Sequence, residues 1–235
     1  MNRPILLIPF AAPQIEISYL LRGQPEKCAF QQSLKGFVPN AFTHIYTIIK
    51  ADDDQRLGLT TILSAVFASL HLDCSTEIIR LEAPTSGQAE TIAKALKILQ
   101  YDGPFWTKDP DNFFPCEVVP ENVVTVFPLD GLTSVNPQNK SYISISDDDY
   151  IMNIAEKRII GRFFCTGGYG FESARNYLRT FQSMPIDEKI YLSHVIYQML
   201  LDGEHFRPYY VSEYNDWGTE DEWKNRKQAS GMLPS

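Results

Sequence analysis

The chain has 235 residues, 44% hydrophobic and 21% charged, enough apolar material to bury the core of one large domain. Its net charge of −8 argues against a general binder of nucleic-acid backbone, which needs a basic surface. Four cysteines (Cys28, Cys74, Cys116, Cys165) lie far apart with no CxxC pair, so neither a zinc site nor a dense disulfide framework is expected, and reduced thiols fit best. Ile5 to Ile8 is a continuous apolar run between prolines and reads as a buried parallel strand. It is too short for a signal segment or a membrane span, and no later run is long enough. A soluble cytoplasmic protein without membrane insertion is the expectation.

The segment from Gln24 to Pro39 has a mixed pattern. Thr43 to Lys50 is β-branched and aromatic, a second strand. Asp52, Asp53 and Asp54 read as a solvated polar break before an amphipathic helix marked by Leu59, Ile62, Leu63, Val66, Phe67 and Leu70. Glu77 to Leu81 is a third strand, Gln88 to Leu99 a helix, and Phe105-Trp106 a short fourth strand. This alternation predicts an α/β domain with a mainly parallel sheet, whose ligands bind beyond the carboxyl ends of the strands. The second half is richer in β structure. Val123 to Phe127 is a strand. Asp130-Gly131 and Asn136-Pro137 are turn signals. Ser141 to Ile145 and Tyr150 to Ile154 flank an acidic hairpin turn, and Ile159 to Tyr169 is extended. Helices follow on Phe171, Ala174, Leu178 and Phe181, and on Leu192, Val195, Ile196, Met199 and Leu200. Pro208 to Val211 is a last strand, and the tail from Lys224 reads as a solvated helix that frays into Ser230 to Ser235. No repeat or linker interrupts the chain, so one domain over residues 1–235 is expected.

The stretch Trp106-Thr107-Lys108-Asp109-Pro110-Asp111-Asn112 places two carboxylates after the fourth strand. In an extended segment, side chains two apart point the same way, so Asp109 and Asp111 would aim at one point. Few carboxylate oxygens, with positions left for phosphate and water, suit Mg²⁺. The same residues also suit a solvated acidic turn. Trp106, Phe113 and Phe114 are candidates for a pocket wall, and His194 reads as a half-buried histidine with its bonds satisfied.

Five segments in order resemble the sugar-phosphate nucleotidyltransferases, or nucleotide-sugar pyrophosphorylases. Thr85-Ser86-Gly87-Gln88-Ala89-Glu90-Thr91 is similar to the segment that reads the nucleotide base. Asp111-Asn112 resembles the metal-binding DN, Glu156-Lys157 the EK pair at the sugar phosphate, and Thr166-Gly167-Gly168-Tyr169-Gly170-Phe171 the tGxYxF segment. Asp216-Trp217-Gly218-Thr219 resembles DxGT, whose Asp is the second metal carboxylate. The resemblance implies a Rossmann-like fold of the nucleotide-diphospho-sugar transferase type, with a mixed, mainly parallel central sheet. It implies transfer of a nucleotidyl group from a nucleoside triphosphate to a sugar phosphate or similar small phosphorylated metabolite, for capsule or surface polysaccharide. Asp111 and Asp216 would hold Mg²⁺, with Asp109 auxiliary. Lys157 and Lys27 would be the catalytic cations. Thr85, Gly87 and Gln88 would bind the nucleotide, and Glu156 and Gly168 the acceptor. A homo-oligomer is compatible with the resemblance.

The N-terminal third departs from that pattern. The family carries a glycine-rich loop with a basic residue after its first strand, whose amides cradle the triphosphate. Here the loop is Pro9-Phe10-Ala11-Ala12-Pro13-Gln14-Ile15-Glu16, with no glycine and no basic residue. Lys27, in Gln24-Pro25-Glu26-Lys27, stands one place later than the family's lysine, with Arg22 nearby. Two further readings therefore stand beside the first: a nucleotide or nucleotide-sugar binding module without turnover, and a metal-dependent glycosyltransferase, which needs no triphosphate cradle.

Overall fold

The structure, a computed structural model, describes residues 3–11, 17–37, 41–131, 137–185 and 189–229. In the first half, β1 (Ile5–Pro9) leads through α1 (Ile17–Leu20) and α2 (Ala29–Leu34) to β2 (His44–Lys50). Next come α3 (Ala51–Leu57), α4 (Leu59–Ser69), β3 (Ser75–Leu81), α5 (Gln88–Leu99) and β4 (Phe105–Lys108). In the second half, β5 (Asn112–Phe113), β6 (Val123–Pro128), β7 (Ser141–Ile145), β8 (Ile151–Glu156) and β9 (Phe163–Phe171) precede α6 (Ala174–Ser183) and α7 (Leu192–Leu201). The chain then forms β10 (Arg207–Tyr210), β11 (Asn215–Asp216) and α8 (Glu220–Ala229).

The main sheet runs β10-β6-β9-β4-β1-β2-β3, with β7 pairing both β8 and β9. Strands β1, β2, β3 and β4 are parallel neighbours, as are β6 and β10, while β9 runs antiparallel to β4 and β6. The sheet is the expected mixed, mainly parallel α/β sheet. Strand β1 is buried at every position because helices cover both faces. Its side chains alternate: Leu6 and Ile8 enter one core with α2 and α4, and Ile5 and Leu7 enter the other with α5, α6 and α7. The unbroken apolar run at Ile5 to Ile8 follows directly from that two-sided burial.

Two features position the site. Strand β9 lies antiparallel to β4 with Lys108 opposite Gly168, so the carboxyl end of β4 meets the middle of β9. The two-stranded ribbon β5–β11 sets Asp216 opposite Asn112, which brings the late DWGT segment beside Asp111. Among the described residues, no helix is long and apolar enough to cross a membrane.

Several expectations change. Pro110 and Asp111 form a turn, so Asp109 and Asp111 do not share an extended segment. Asp52, Asp53 and Asp54 form the first turn of α3, where Asp53 is buried between Lys50 and Arg56. Negative charge there suits the amino end of the helix dipole. The stretch from Gln24 to Pro39 contains a 3-10 turn (Pro25–Lys27) and α2. Phe171 belongs to β9, and α8 begins at Glu220, ahead of Lys224. Trp106 and Phe114 are core residues, and Phe113 stacks on Trp217 with 6.1 Å between ring centroids. His194 is half-buried with a bond made, as the sequence predicts: it caps α7, its Nδ1 accepting the Tyr191 N–H at 3.5 Å. Ala12 to Glu16 of the first loop, Asn136 and Ser230 to Ser235 lie outside the described residues.

Candidate active site

An open cavity of about 390 Å³ lies beyond the carboxyl end of β4. Its walls include Gln88, Asp109, Asp111, Glu156, Lys157 and Asp216, six residues drawn from four separate sequence segments. The other four site candidates lie off it. Lys27 is exposed on the 3-10 turn and does not line the cavity. Gly168 is packed inside the sheet: its N–H donates to Thr125 Oγ1 at 2.9 Å, and a Cβ there would meet the Phe114 ring at 2.6 Å. Gly168 is thus a packing glycine, and its neighbour Gly167 reaches the cavity. Thr85 is buried with its hydroxyl 2.7 Å from that of Thr91, and Gly87 precedes α5, so only Gln88 of that segment is on the wall.

The turn after β4 is held from below by a lysine that the sequence reading passed over. Lys108 is buried, and its ammonium donates to Asn112 O at 2.7 Å, Asn112 Oδ1 at 2.8 Å and Asp109 O at 2.9 Å. Burial pulls its pKa down, opposed by the charges of Asp109 and Asp111. Gln88 Nε2 donates to Asp109 Oδ1 at 2.6 Å, and Gly167 O accepts the Asp109 N–H at 2.8 Å. Burial, then the neighbouring Asp111 charge, pushes the Asp109 carboxyl above the usual range. Asp109 is therefore a held carboxylate, already bonded.

Asp111 and Asp216 differ from it. Asp111 Oδ2 and Asp216 Oδ1 lie 3.9 Å and 3.2 Å from the position that a Cβ on Gly218 would take. Glycine at 218 leaves that space open between them. Burial first, and the Asp216 charge second, raise the Asp111 pKa, opposed by Lys108 and Lys140. Two carboxylates forced together in a half-buried site favour a bound cation. Their oxygen chemistry fits Mg²⁺. Among the described residues no group of three His, Cys, Asp or Glu side chains encloses an ion. A cation on Asp111 and Asp216 would thus complete its shell with substrate oxygens and water.

The opposite chemistry comes from lysines. Lys157 has φ +57, a backbone region uncommon outside glycine, and lines the cavity with Lys189 and Tyr191. Its ammonium donates to Tyr191 Oη at 3.3 Å. The Lys157 and Lys189 ammoniums stand 5.2 Å and 4.8 Å from the centre of the same Tyr191 ring. Glu156 accepts hydroxyl bonds from Ser141 at 2.5 Å and Ser193 at 2.7 Å. Lys140 pairs with Asp216 and donates to Tyr214 Oη at 2.5 Å.

No protein-family model and no curated protein matches the sequence. Solved structures match it in shape. The nucleoside-diphosphate-sugar pyrophosphorylase from Vibrio cholerae aligns with a TM-score of 0.74 at 18% identity, covering 94% of this chain and 98% of that one. A UDP-glucose pyrophosphorylase complexed with UDP-glucose gives 0.72 at 11% identity over 99% of each chain. The chain has the fold of the nucleotide-sugar pyrophosphorylases. The inositol-1-phosphate CTP transferase of T. maritima shares it as well, with a TM-score of 0.69 at 14% identity, covering 94% of this chain and 91% of that one. Nucleotidyltransferases of different acceptors thus share this pyrophosphorylase fold across nearly their whole length.

Proposed function

We propose that this protein is a Mg²⁺-dependent nucleotidyltransferase that couples a nucleoside triphosphate to a sugar 1-phosphate, or a similarly small phosphorylated metabolite, in surface or capsule polysaccharide synthesis. The observation that carries the reading is the meeting of Asp111 and Asp216 across the β5–β11 ribbon, on a cavity that also presents Lys157. An oxygen of the acceptor phosphate forms a bond to the α-phosphorus, the bond to the β-phosphate breaks, and pyrophosphate leaves. Such a displacement needs positioning and charge neutralisation rather than a covalent enzyme intermediate. Asp111 and Asp216 would hold the ion. Mg²⁺, when bound, would neutralise phosphate charge in this displacement. Lys157 attracts the acceptor phosphate, and Glu156, fixed by Ser141 and Ser193, offers a carboxylate to a sugar hydroxyl. Gln88 fixes Asp109 and is the residue of the Thr85-to-Thr91 segment that faces the nucleotide.

The first loop supports a second reading, a binding module without turnover, because Pro9 to Glu16 contains no glycine and no basic residue. Pyrophosphate release separates the two. The protein is incubated with Mg²⁺, a panel of nucleoside triphosphates and a panel of sugar phosphates. Release is expected, and Asp111→Asn is expected to lower it at least ~100-fold. No release, with thermal stabilisation by a nucleotide diphosphate sugar, favours the binding module.

A further inference from the structure

Asp216 is already occupied. Its Oδ2 is paired with the Lys140 ammonium, and its Oδ1 accepts the Gly218 N–H at 3.0 Å. Asp111, which faces the same space over Gly218, accepts no side-chain hydrogen bond among the described residues. The two carboxylates assigned to one cation are therefore unequal: one is open, the other carries a counter-ion supplied by the chain.

Lys140 is built for that post. It immediately precedes β7, and its backbone is fixed there, its O accepting the Lys157 N–H at 2.8 Å. Its side chain is only 14% exposed. The ammonium stands 4.9 Å from the centre of the Tyr214 ring and 5.8 Å from that of Phe164, and it donates to the Tyr214 hydroxyl. Two aromatic faces and a hydroxyl keep a cation in place with or without Asp216.

We propose that Lys140 is a displaceable counter-ion: it neutralises Asp216 until a divalent cation arrives, then yields that carboxylate and keeps its own charge at the cavity wall on Tyr214 and Phe164. The inference rests on the reading of Asp111 and Asp216 as the cation site. Lys140 thereby weakens cation binding to the free protein, because an ammonium must first leave the carboxylate. It favours loading by a cation that arrives with phosphate, whose negative charge gives the released ammonium a new partner. Neither consequence belongs to a lysine that serves only to tie β7 to the β5–β11 ribbon.

The test is Mn²⁺ titration of the full chain, followed by the loss of the free-ion paramagnetic resonance signal. Lys140→Met is expected to bind Mn²⁺ at least ~10-fold more tightly than the wild type, since a contacting positive charge is gone. Lys140→Arg keeps the charge and is expected to bind as the wild type does. Adding Asp216→Asn to Lys140→Met is expected to abolish the gain. Lys140→Gln removes the charge with a polar side chain and gives the same reading if the Met variant does not fold. Unchanged or weaker binding by the charge-removing variants, with Mn²⁺ still held by the wild type, overturns the counter-ion and leaves the cation site standing. Binding by neither protein overturns both.

Discussion

Gly167 determines where Asp109 can sit. Its φ is +91, and a Cβ there would lie 2.5 Å from both Asp109 Oδ2 and Asn112 Nδ2. Gly167→Ala must both strain the backbone and push these side chains away. We predict a loss of about 1–3 kcal/mol in urea unfolding and release of Asp109 from Gln88. Unaltered stability would show that the turn after β4 yields freely. The residues around the cavity differ in how far the sequence signals them. Asp111, Asp216 and Lys157 stand out in the sequence as candidates because each belongs to a short local pattern (DN, DWGT and EK), and the fold brings all three to one cavity. Lys140 was not, because its partner Asp216 lies 76 residues away and nothing near Lys140 signals it. Lys108 was not, because a lysine beside an acidic turn reads as solvated. Its burial depends on three oxygen acceptors that exist only once the turn has closed. Gly168 reads in the sequence as an acceptor contact and is instead a packing glycine, because ligand approach and ring packing both exclude a side chain.

At the scale of elements, the order of strands and helices was readable wherever burial imposes a period. Helix α5 and strand β7 fall on the predicted spans, and β1 differs by one residue. The reading failed where polar side chains build structure. The Asp52–Asp54 run reads as a solvated break, yet Asp54 ties three elements together. Its Oδ1 accepts the Thr60 N–H at 2.7 Å at the start of α4, and its Oδ2 accepts from Thr60 Oγ1 at 2.6 Å and from Arg80 Nε of β3 at 2.7 Å. The Thr60 hydroxyl first, and Arg80 second, hold its pKa down at about 2. A carboxyl lowered in the folded state stabilises the protein above its unfolded pKa near 3.8, and that contribution is lost as pH falls toward 2. Asp54→Asn is therefore expected to cost roughly 1 kcal/mol at pH 6, after allowance for solvent screening. Urea unfolding of wild type and variant should converge between pH 4 and pH 2 (about the range of the two pKa values). A gap that stays constant with pH would mean that lost packing, rather than charge, sets the cost.

The whole molecule carries a net charge of −8, and the proposed substrates are anions. Its mean field therefore opposes binding, and attraction has to be local. Five carboxylates line the cavity (Asp109, Asp111, Glu156, Asp216 and Glu222) against three lysines. Before a cation arrives, Lys140 is paired with Asp216. Lys157 and Lys189 remain, both at the Tyr191 ring and neither in a salt bridge among the described residues. They are the available counter-charge for an acceptor phosphate. Removing both should matter more than removing either, because one ammonium can partly cover for the other across a single ring. Lys157→Ala with Lys189→Ala is expected to weaken sugar-phosphate binding at least ~10-fold in titration calorimetry. The wild-type affinity should fall as salt rises from 50 to 300 mM, about the range over which screening of exposed charges becomes strong, and the double variant should show a flatter dependence. Equal slopes would place the phosphate elsewhere on the wall. Unchanged thermal stability in the double variant is also expected, since both ammoniums rest on the face of a tyrosine rather than in the core.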